Sequence, residues 1–213
     1  MVKEPLAGQV KTRLCPPLTH EEAARLYTVM MQETVQRFVA GPTPVILIYA
    51  GNVGYFEKMF PGLPLWPQGD GDLGQRLDEA MARLLATGCR AAALIGSDSP
   101  DLPFALVDAA FAALAESDAV TIPAGDGGYV LVGCSRPCPP LFEAIDWSTP
   151  VVLAQTRRQV ERHGLRYTEV GTWGDLDDIE ALRALLQRSS DTATARFARQ
   201  ELAHLIETGP VER

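Results

Sequence analysis

Apolar positions recur every three or four residues in several stretches of the chain. The clearest stretch follows Thr19, which forms a capping-box pattern with Glu22. The spacing after it predicts a helix over residues 20–39, which the sequence "GPTP" ends. The same reasoning predicts helices over residues 73–88, 103–117, 149–164, 177–187 and 191–207, and a short helix over 55–60.

Short apolar runs of strand length alternate with these helices. The runs "VILIYA" and "RAAALIG" are continuously apolar, as is typical of parallel strands buried on both faces. The predicted strands cover residues 45–50, 63–67, 90–96, 118–124, 128–133 and 165–171. This alternation predicts an α/β fold with a mainly parallel, Rossmann-like sheet between helix layers. Because no repeat or long linker interrupts it, we expect one domain over residues 1–213, with the helices of about 177–207 packed on it.

Composition and charge narrow the class of protein. The chain has 213 residues, of which 46% are apolar, so we expect a globular fold. Its apolar runs are too short to span a bilayer and no signal segment opens it, so we expect a cytoplasmic protein without a membrane partner. The net charge of −8 argues against a nucleic-acid polymer as partner. Binding of a small phosphorylated ligand is still compatible with this net charge, because it needs only a local cluster of cations.

The opening loop contains such a cluster. In the stretch "GQVKTRL", Gly8 is followed by Lys11 and Arg13. A glycine allows close approach of the backbone to a ligand, and the two cations can neutralise a diphosphate. The stretch is not a Walker A loop, whose glycine and lysine are adjacent. The alternative is a surface loop with two solvated cations.

A second candidate is the loop "QGDGDLGQRL", which contains a literal GxGxxG pattern before a helix. Asp70 and Asp72 inside the loop would repel a pyrophosphate, and the loop does not follow the first strand, so a dinucleotide site is disfavoured. The loop is better suited to contact a nucleoside base or ribose, or to cap the helix. Gly71, Gly74 and Arg76 are its candidate nucleotide-binding residues.

Acidic residues follow two other strands. Asp98 comes directly after the buried strand of residues 90–96, and Asp175 and Asp177 alternate after the last strand. Carboxylates in such loops could hold Mg²⁺ or Mn²⁺, which take oxygen ligands and can bridge to a diphosphate. The alternative is that Asp98, Ser99 or Asp177 caps the following helix.

The sequence Asp126-Gly127-Gly128 joins two predicted strands. It could be a plain hairpin turn. The paired glycines could equally bring the backbone against a sugar or an acceptor.

Six motifs in one order resemble a known family: "GQVKTRL", "GDLGQRL", "IGSDSPDLP", "PAGDGGYVLVG", "IDWSTP" and "WGDLDD". They resemble a bacterial group of transferases that was long described as a domain of unknown function. It is also called the radical-SAM/selenodomain-associated or arsenosugar-biosynthesis-type transferase. The likeness extends from residue 3 to about 187. It implies the GT-A, nucleotide-diphospho-sugar transferase fold, with three α/β/α layers.

The resemblance also implies roles for individual residues. Lys11 and Asp126 would be catalytic, Asp98 with Asp175 or Asp177 would bind the metal, and the rest would bind substrates. The implied nucleotide-binding residues are Gly8, Lys11, Arg13, Gly71, Gly74, Arg76 and Asp98, and the acceptor-side residues are Asp126, Gly127, Gly128 and Tyr129.

The chain departs from the family pattern in two places. The family usually begins with a full apolar strand, but here only Met1 and Val2 precede Lys3, so we expect a shortened first strand. The last motif often reads Asp-x-Asp-Thr, but Asp178 replaces the threonine here, which weakens the assignment of Asp175 and Asp177 to a metal.

Three functional hypotheses follow. The first is a metal-dependent glycosyltransferase that moves a sugar from a nucleotide sugar to a small acceptor, with Mg²⁺ or Mn²⁺ as cofactor. The second is a nucleotidyltransferase that joins an NTP to a phosphorylated small molecule and releases pyrophosphate. The third is a catalytically silent nucleotide-binding module. The oligomeric state stays open, with a homodimer as one option.

Overall fold

The computed structural model describes residues 1–203, in which helices and strands alternate as predicted. The helices are α1 (His20–Val39), α2 (Val53–Met59), α3 (Leu73–Leu85), α4 (Phe104–Ala113), α5 (Val152–Arg162), α6 (Ile179–Arg188) and α7 (Ala193–Glu201). The strands are β1 (Val2–Lys3), β2 (Leu47–Ala50), β3 (Leu65–Pro67), β4 (Ala92–Ile95), β5 (Ala119–Pro123), β6 (Tyr129–Cys134) and β7 (Tyr167–Glu169).

Helix α1 has the bounds predicted for it, because its start is encoded locally. The side chain of Thr19 accepts a hydrogen bond from Glu22 N, and the Glu22 side chain accepts one from Thr19 N. Most other elements are shorter than predicted; the helix expected over 103–117, for example, spans Phe104–Ala113. The predicted last helix reached residue 207, and its final four positions lie outside the described residues.

The described residues form two compact units. The terminal unit contains residues 2–66, 97–101 and the described residues from Asp175 onward, and the middle unit contains Met1 and residues 67–96 and 102–174. The prediction of one domain over the whole chain stays a prediction.

The terminal unit contains a three-stranded sheet in the order β1-β2-β3. The expected short first strand is present: β1 pairs in parallel with β2, with Val2 opposite Tyr49 and Lys3 opposite Ala50. The apolar core of this unit unites α1 with β1, β2 and the last two helices. It includes Val2, Val10, Leu14, Leu26, Met30, Met31, Leu47, Phe56, Leu176, Leu182, Leu185 and Ala198.

The middle unit contains a four-stranded sheet in the order β4-β6-β5-β7. Strand β6 is antiparallel to both β4 and β5, and β7 is parallel to β5. Strands β4, β5 and β7 therefore share one direction, as the α/β pattern predicts, and β6 alone opposes them. The reversal arises because a hairpin turn, rather than a helical crossover, connects β5 to β6.

None of the helices within residues 1–203 combines the length and apolar character needed to cross a membrane.

Candidate active site

A buried lysine joins two loops of the terminal unit. The Nζ atom of Lys11 lies 3.0 Å from Asp98 Oδ1 and 2.6 Å from Asp177 Oδ1. The Lys11 side chain is 5% exposed, whereas the Asp98 and Asp177 side chains are 38% and 33% exposed. Arg13 Nη1 lies 3.2 Å from Asp177 Oδ2. These four residues, which we call the lysine cluster, bring together predicted phosphate-binding and metal-binding side chains from distant parts of the sequence.

The charge of Lys11 is fixed by its surroundings. Burial alone would lower the pKa of Lys11, but the carboxylates of Asp98 and Asp177 outweigh it and raise the pKa above the usual 10.5. Lys11 therefore carries its positive charge at neutral pH. It is not a solvated surface cation, which was the alternative for this loop.

The loop around Lys11 is held by apolar anchors on both sides. Val10 and Leu14 are buried in the core of the terminal unit. Gly8 has φ +76°, and Lys11 itself adopts a left-handed conformation with φ 48° and ψ 38°. A short 3-10 turn, Thr12–Leu14, follows directly. Because a left-handed lysine is uncommon, the loop is specified by its anchors rather than by local preference.

The loop that carries Asp98 is held by polar groups of α1. The Tyr27 hydroxyl accepts a hydrogen bond from Lys3 N at 3.0 Å and shares one with Ser97 Oγ at 2.9 Å. Thr34 Oγ1 donates to the carbonyl oxygen of Ser97 at 3.4 Å. Tyr27, Ser97 and Thr34 are all buried. These bonds fix the backbone immediately before Asp98.

The other end of the same loop is fixed by an ion pair. Asp101 accepts from Arg188 Nε at 2.7 Å and Nη2 at 3.2 Å, and from Ser189 Oγ at 2.6 Å. Arg37 also donates from Nη1 to the carbonyl oxygen of Pro100. Asp101 therefore has a structural partner, whereas Asp98 points to Lys11.

Helix capping does not account for the acidic residues of the cluster. Helix α6 is capped by Asp178, whose Oδ1 accepts from Ala181 N at 2.8 Å, rather than by Asp177. Helix α4 begins after Pro103 without a side-chain cap, so Asp98 does not cap it. Asp178, which replaces the threonine of the family pattern, is thus the helix cap. The Asp177 side chain is therefore available for the lysine cluster.

Asp98 and Asp177 have the chemistry of a divalent metal site. Their Oδ1 atoms converge on one cationic group, the Lys11 ammonium, and Leu176 N donates to the Asp98 carbonyl oxygen at 2.8 Å, which ties the two loops together. Carboxylate oxygens are the ligands that Mg²⁺ and Mn²⁺ prefer. Asp175 lies in the same loop and is half-buried. Metal binding by these residues stays a prediction.

The glycine-rich loop of the middle unit caps a helix. Asp72 Oδ1 accepts from Gln75 N at 2.9 Å, and Gln75 Oε1 accepts from Asp72 N at 3.0 Å, so the two form a capping box at α3. Gly71 has φ +92°, which favours glycine there. The helix-cap alternative is therefore realised, while nucleotide contact by Gly71 stays a prediction.

Gly74 is a packing position at the start of α3. A Cβ atom there would lie 2.5 Å from the Phe142 carbonyl oxygen and 2.6 Å from Trp147 Nε1. Arg76 lies on the same turn, and its buried Nε has no hydrogen-bond partner among residues 1–203. A buried donor without a partner fits the predicted ligand contact by Arg76, because such groups cost stability unless a ligand or water satisfies them.

The predicted acceptor loop is the β5–β6 hairpin of the middle unit. Asp126 Oδ1 accepts from Gly128 N at 2.9 Å, which rigidifies the turn. Gly127 has φ +90°, and a Cβ atom there would lie 2.1 Å from the Pro150 carbonyl oxygen. The segment therefore forms a hairpin turn, which was one of the two alternatives for it. The Asp126 carboxylate is exposed and remains accessible to solvent.

Tyr129 begins the strand after this hairpin. Its hydroxyl is buried and has no hydrogen-bond partner within the described chain, and burial raises the pKa of Tyr129 above its usual value. Its ring meets Trp147 edge to face, with 6.3 Å between centroids. Tyr129 is thus a rigid, neutral side chain in the predicted acceptor loop.

Sequence reasoning missed the two groups that position Asp98. Neither Tyr27 nor Ser97 is among the candidate site residues predicted from the sequence. The available signal was a tyrosine on the buried face of an amphipathic helix, because a buried hydroxyl needs a polar partner.

Comparisons with known proteins identify the family. The family model described as "Uncharacterized protein conserved in bacteria (DUF2064)" matches residues 34–149. A crystal structure of a candidate nucleotide-diphospho-sugar transferase from Desulfovibrio desulfuricans G20 is 31% identical, with 94% of this chain and 92% of that chain covered and a TM-score of 0.87. No curated protein matches the chain.

A more distant structure supports the fold alone. A cytidylyltransferase from Leptospira borgpetersenii serovar Hardjo-bovis (strain JB197) is 11% identical, covers 100% of this chain and 96% of that chain, and has a TM-score of 0.56. The Desulfovibrio and Leptospira structures together confirm the predicted fold. The Desulfovibrio structure also supports the prediction that the chain is a transferase. The chain therefore belongs to the bacterial family DUF2064.

Proposed function

We propose that the chain is a cytoplasmic glycosyltransferase that moves a sugar from a nucleoside diphosphate sugar to a small acceptor, with Mg²⁺ or Mn²⁺. The lysine cluster carries this proposal, because it combines two cations with two convergent carboxylates. The 31% identity to a candidate nucleotide-diphospho-sugar transferase supports the choice of donor.

The two cations of the cluster suit a diphosphate. Lys11 is buried and charged at neutral pH, so it offers a positive charge that water screens little. Arg13 is 57% exposed, so its guanidinium can turn toward a ligand and form paired hydrogen bonds with phosphate oxygens. In the reaction, Lys11 would stabilise the charge that develops on the departing nucleoside diphosphate.

Asp98 and Asp177 would hold the divalent ion, with Asp175 as a further candidate in the same loop. When bound, the ion would supply Lewis-acid stabilisation of the diphosphate leaving group. The fit rests on the donor set and on the ammonium that already occupies the point of convergence.

The acceptor would be activated in the β5–β6 hairpin. Its hydroxyl oxygen would form a bond to the anomeric carbon as the bond from that carbon to the phosphate oxygen breaks. The Asp126 carboxylate would take the hydroxyl proton, which requires an ionised and accessible group, and Asp126 is exposed. Gly127, Gly128 and Tyr129 would shape the space around the acceptor.

A ligand-binding panel tests this proposal. Thermal unfolding is measured with UDP-, GDP- and ADP-sugars and with the four NTPs, each with and without Mn²⁺, on the wild type and on Asp98→Asn. The expected result is a Mn²⁺-dependent rise in Tm with one nucleotide sugar that is lost in Asp98→Asn. The matched control is Asp108→Asn, because Asp108 is exposed on α4.

The other outcomes decide between the alternatives. A shift with an NTP but with no nucleotide sugar would favour the nucleotidyltransferase, which would use the same cluster to bind a triphosphate. A shift with a nucleotide sugar but no turnover of any donor would favour the silent binding module. No shift with any nucleotide would contradict all three.

A further inference from the structure

The position of the Lys11 ammonium has a consequence for how a metal could enter. The same two Oδ1 atoms that would bind the ion already contact Lys11 Nζ, at 3.0 and 2.6 Å. The ammonium is buried, so it is not free to shift into bulk solvent. A divalent ion bound by both oxygens would lie next to this ammonium, and the two cations would repel each other.

We infer that Lys11 is a built-in cation that holds the place of the metal until the phosphates of the donor bind. This inference rests on the proposed function and adds an order of events: donor phosphate draws Lys11 away from Asp98 and Asp177, and only then does the divalent ion bind tightly.

The charges of the cluster support this order. Lys11 and Arg13 balance the carboxylates of Asp98 and Asp177, and the Asp175 carboxylate lies within 4.8 Å of that of Asp177. Because the two cations already offset two of these carboxylates, a divalent ion added alone gains less attraction than it would from unpaired carboxylates. Adding a diphosphate together with the ion keeps the total near neutral and gives each cation an anionic partner.

The geometry of Lys11 also permits the exchange. Its ammonium sits at the end of a flexible four-carbon chain, so it can turn from the carboxylates to a nearby phosphate without a change in the backbone. The backbone beneath it is anchored by the buried residues Val10 and Leu14. The exchange therefore needs rotation of one side chain rather than rearrangement of the loop.

The test measures Mn²⁺ binding by the protein alone, from the electron paramagnetic resonance signal of free Mn²⁺, without any nucleotide. Lys11→Met removes the charge and keeps an unbranched side chain that is one heavy atom shorter. It is expected to bind Mn²⁺ at least about tenfold more tightly than the wild type. Lys11→Arg keeps the charge and is expected to bind as weakly as the wild type.

Two further variants complete the design. Lys58→Met is the matched control, because Lys58 is an exposed lysine on α2, and it should leave Mn²⁺ affinity unchanged. The double variant Lys11→Met with Asp98→Asn should lose the gain, which places the ion at the cluster. If melting by circular dichroism shows that Lys11→Met does not fold, Lys11→Gln serves in its place, because its amide can still donate to a carboxylate.

Equal Mn²⁺ affinity of the wild type and the neutral variant would overturn the inference, as would a gain that persists in the double variant. Because this readout needs no donor, it fails independently of the proposed function. Suppose that the wild type turns over a nucleotide sugar, but Lys11→Met binds Mn²⁺ no more tightly than the wild type does. The proposed function would then stand, and the role of Lys11 in occupying the metal position would be refuted.

Discussion

At the scale of single residues, Lys11 differs from the other two lysines of the chain. Lys3 and Lys58 are exposed, whereas Lys11 is buried between two carboxylates. Burial usually lowers the pKa of a lysine and can make it a neutral base. Here the carboxylates prevail, so Lys11 serves as a fixed charge rather than as a proton acceptor.

This fixed charge gives a pH prediction. The folded-state pKa of Lys11 is raised above 10.5, so its stabilising effect is fully present below that value and is lost as pH rises through the folded pKa. The Tm difference between the wild type and Lys11→Met should therefore be constant from about pH 6 to 9. Above about pH 10.5, the Tm of the wild type should fall relative to that of Lys11→Met. A difference that already changes between pH 6 and 9 would contradict a Lys11 side chain that stays charged over this range.

Tyr27 is the second residue on which the cluster depends. Tyr27→Phe should lower the free energy of unfolding by about 1–2 kcal/mol, because it leaves Ser97 Oγ and Lys3 N without their shared partner. Urea unfolding measures the change. The matched control is Tyr49→Phe on β2, a half-buried tyrosine that packs against the same core and does not contact the Asp98 loop through any of the bonds above, and it should cost less than about 0.5 kcal/mol. Equal costs for both variants would refute the positioning role.

At the scale of elements, the β5–β6 hairpin combines a required glycine with the predicted acceptor loop. Gly127→Ala should destabilise the protein by about 2–4 kcal/mol, because φ is +90° and the new Cβ would clash with the Pro150 backbone. Gly125→Ala, two residues earlier, is the matched control, because its Cβ would meet no atom within 4 Å. Urea unfolding measures the two losses of free energy. Equal losses for Gly127→Ala and Gly125→Ala would contradict the close packing of Gly127 against the Pro150 backbone.

Strand β5 is tied to its neighbours by Asp118, the residue before it. Asp118 is buried and accepts hydrogen bonds from the side chains of Arg136 and Arg166 and from Arg166 N. These bonds, those of Arg136 first, hold the pKa of Asp118 far below its usual 3.8. Its folded pKa is depressed, so its stabilising effect is present above about pH 4 and is lost as pH falls toward the folded pKa.

Asp118→Asn should therefore lower the free energy of unfolding at pH 7 by about 2 kcal/mol, because one neutral amide cannot replace the paired charged bonds. The difference from the wild type should shrink as the pH falls below about 4. Thermal melts between pH 7 and 3 measure it. A gap that widens on acidification would contradict an ionised Asp118.

At the scale of the whole molecule, the parts encoded by neighbouring residues could be predicted and the parts that depend on distant residues could not. The capping box of Thr19 and Glu22 and the apolar spacing after it determine α1, so its bounds were predicted correctly. Strand β2 begins at Leu47 rather than at residue 45, because the length of a strand depends on its pairing partners.

The same distinction holds for the candidate site. Lys11, Asp98 and Asp177 were each predicted from their loops, but the bonds between Lys11 and Asp177 join residues that are 166 positions apart. Nothing in the local spacing shows that one lysine bridges both carboxylates, or that Asp178 rather than Asp177 caps α6. These features follow from how the loops meet in the folded terminal unit.

The most direct test of the account is the product released from a donor. The wild type is incubated with each nucleotide sugar or NTP and Mn²⁺, and products are separated by anion-exchange chromatography. We predict release of a nucleoside diphosphate from one nucleotide sugar, abolished by EDTA, lowered about 100-fold or more in Lys11→Met and unchanged in Lys58→Met. Pyrophosphate from an NTP with no nucleoside diphosphate from any nucleotide sugar, or full activity in Lys11→Met, would contradict it.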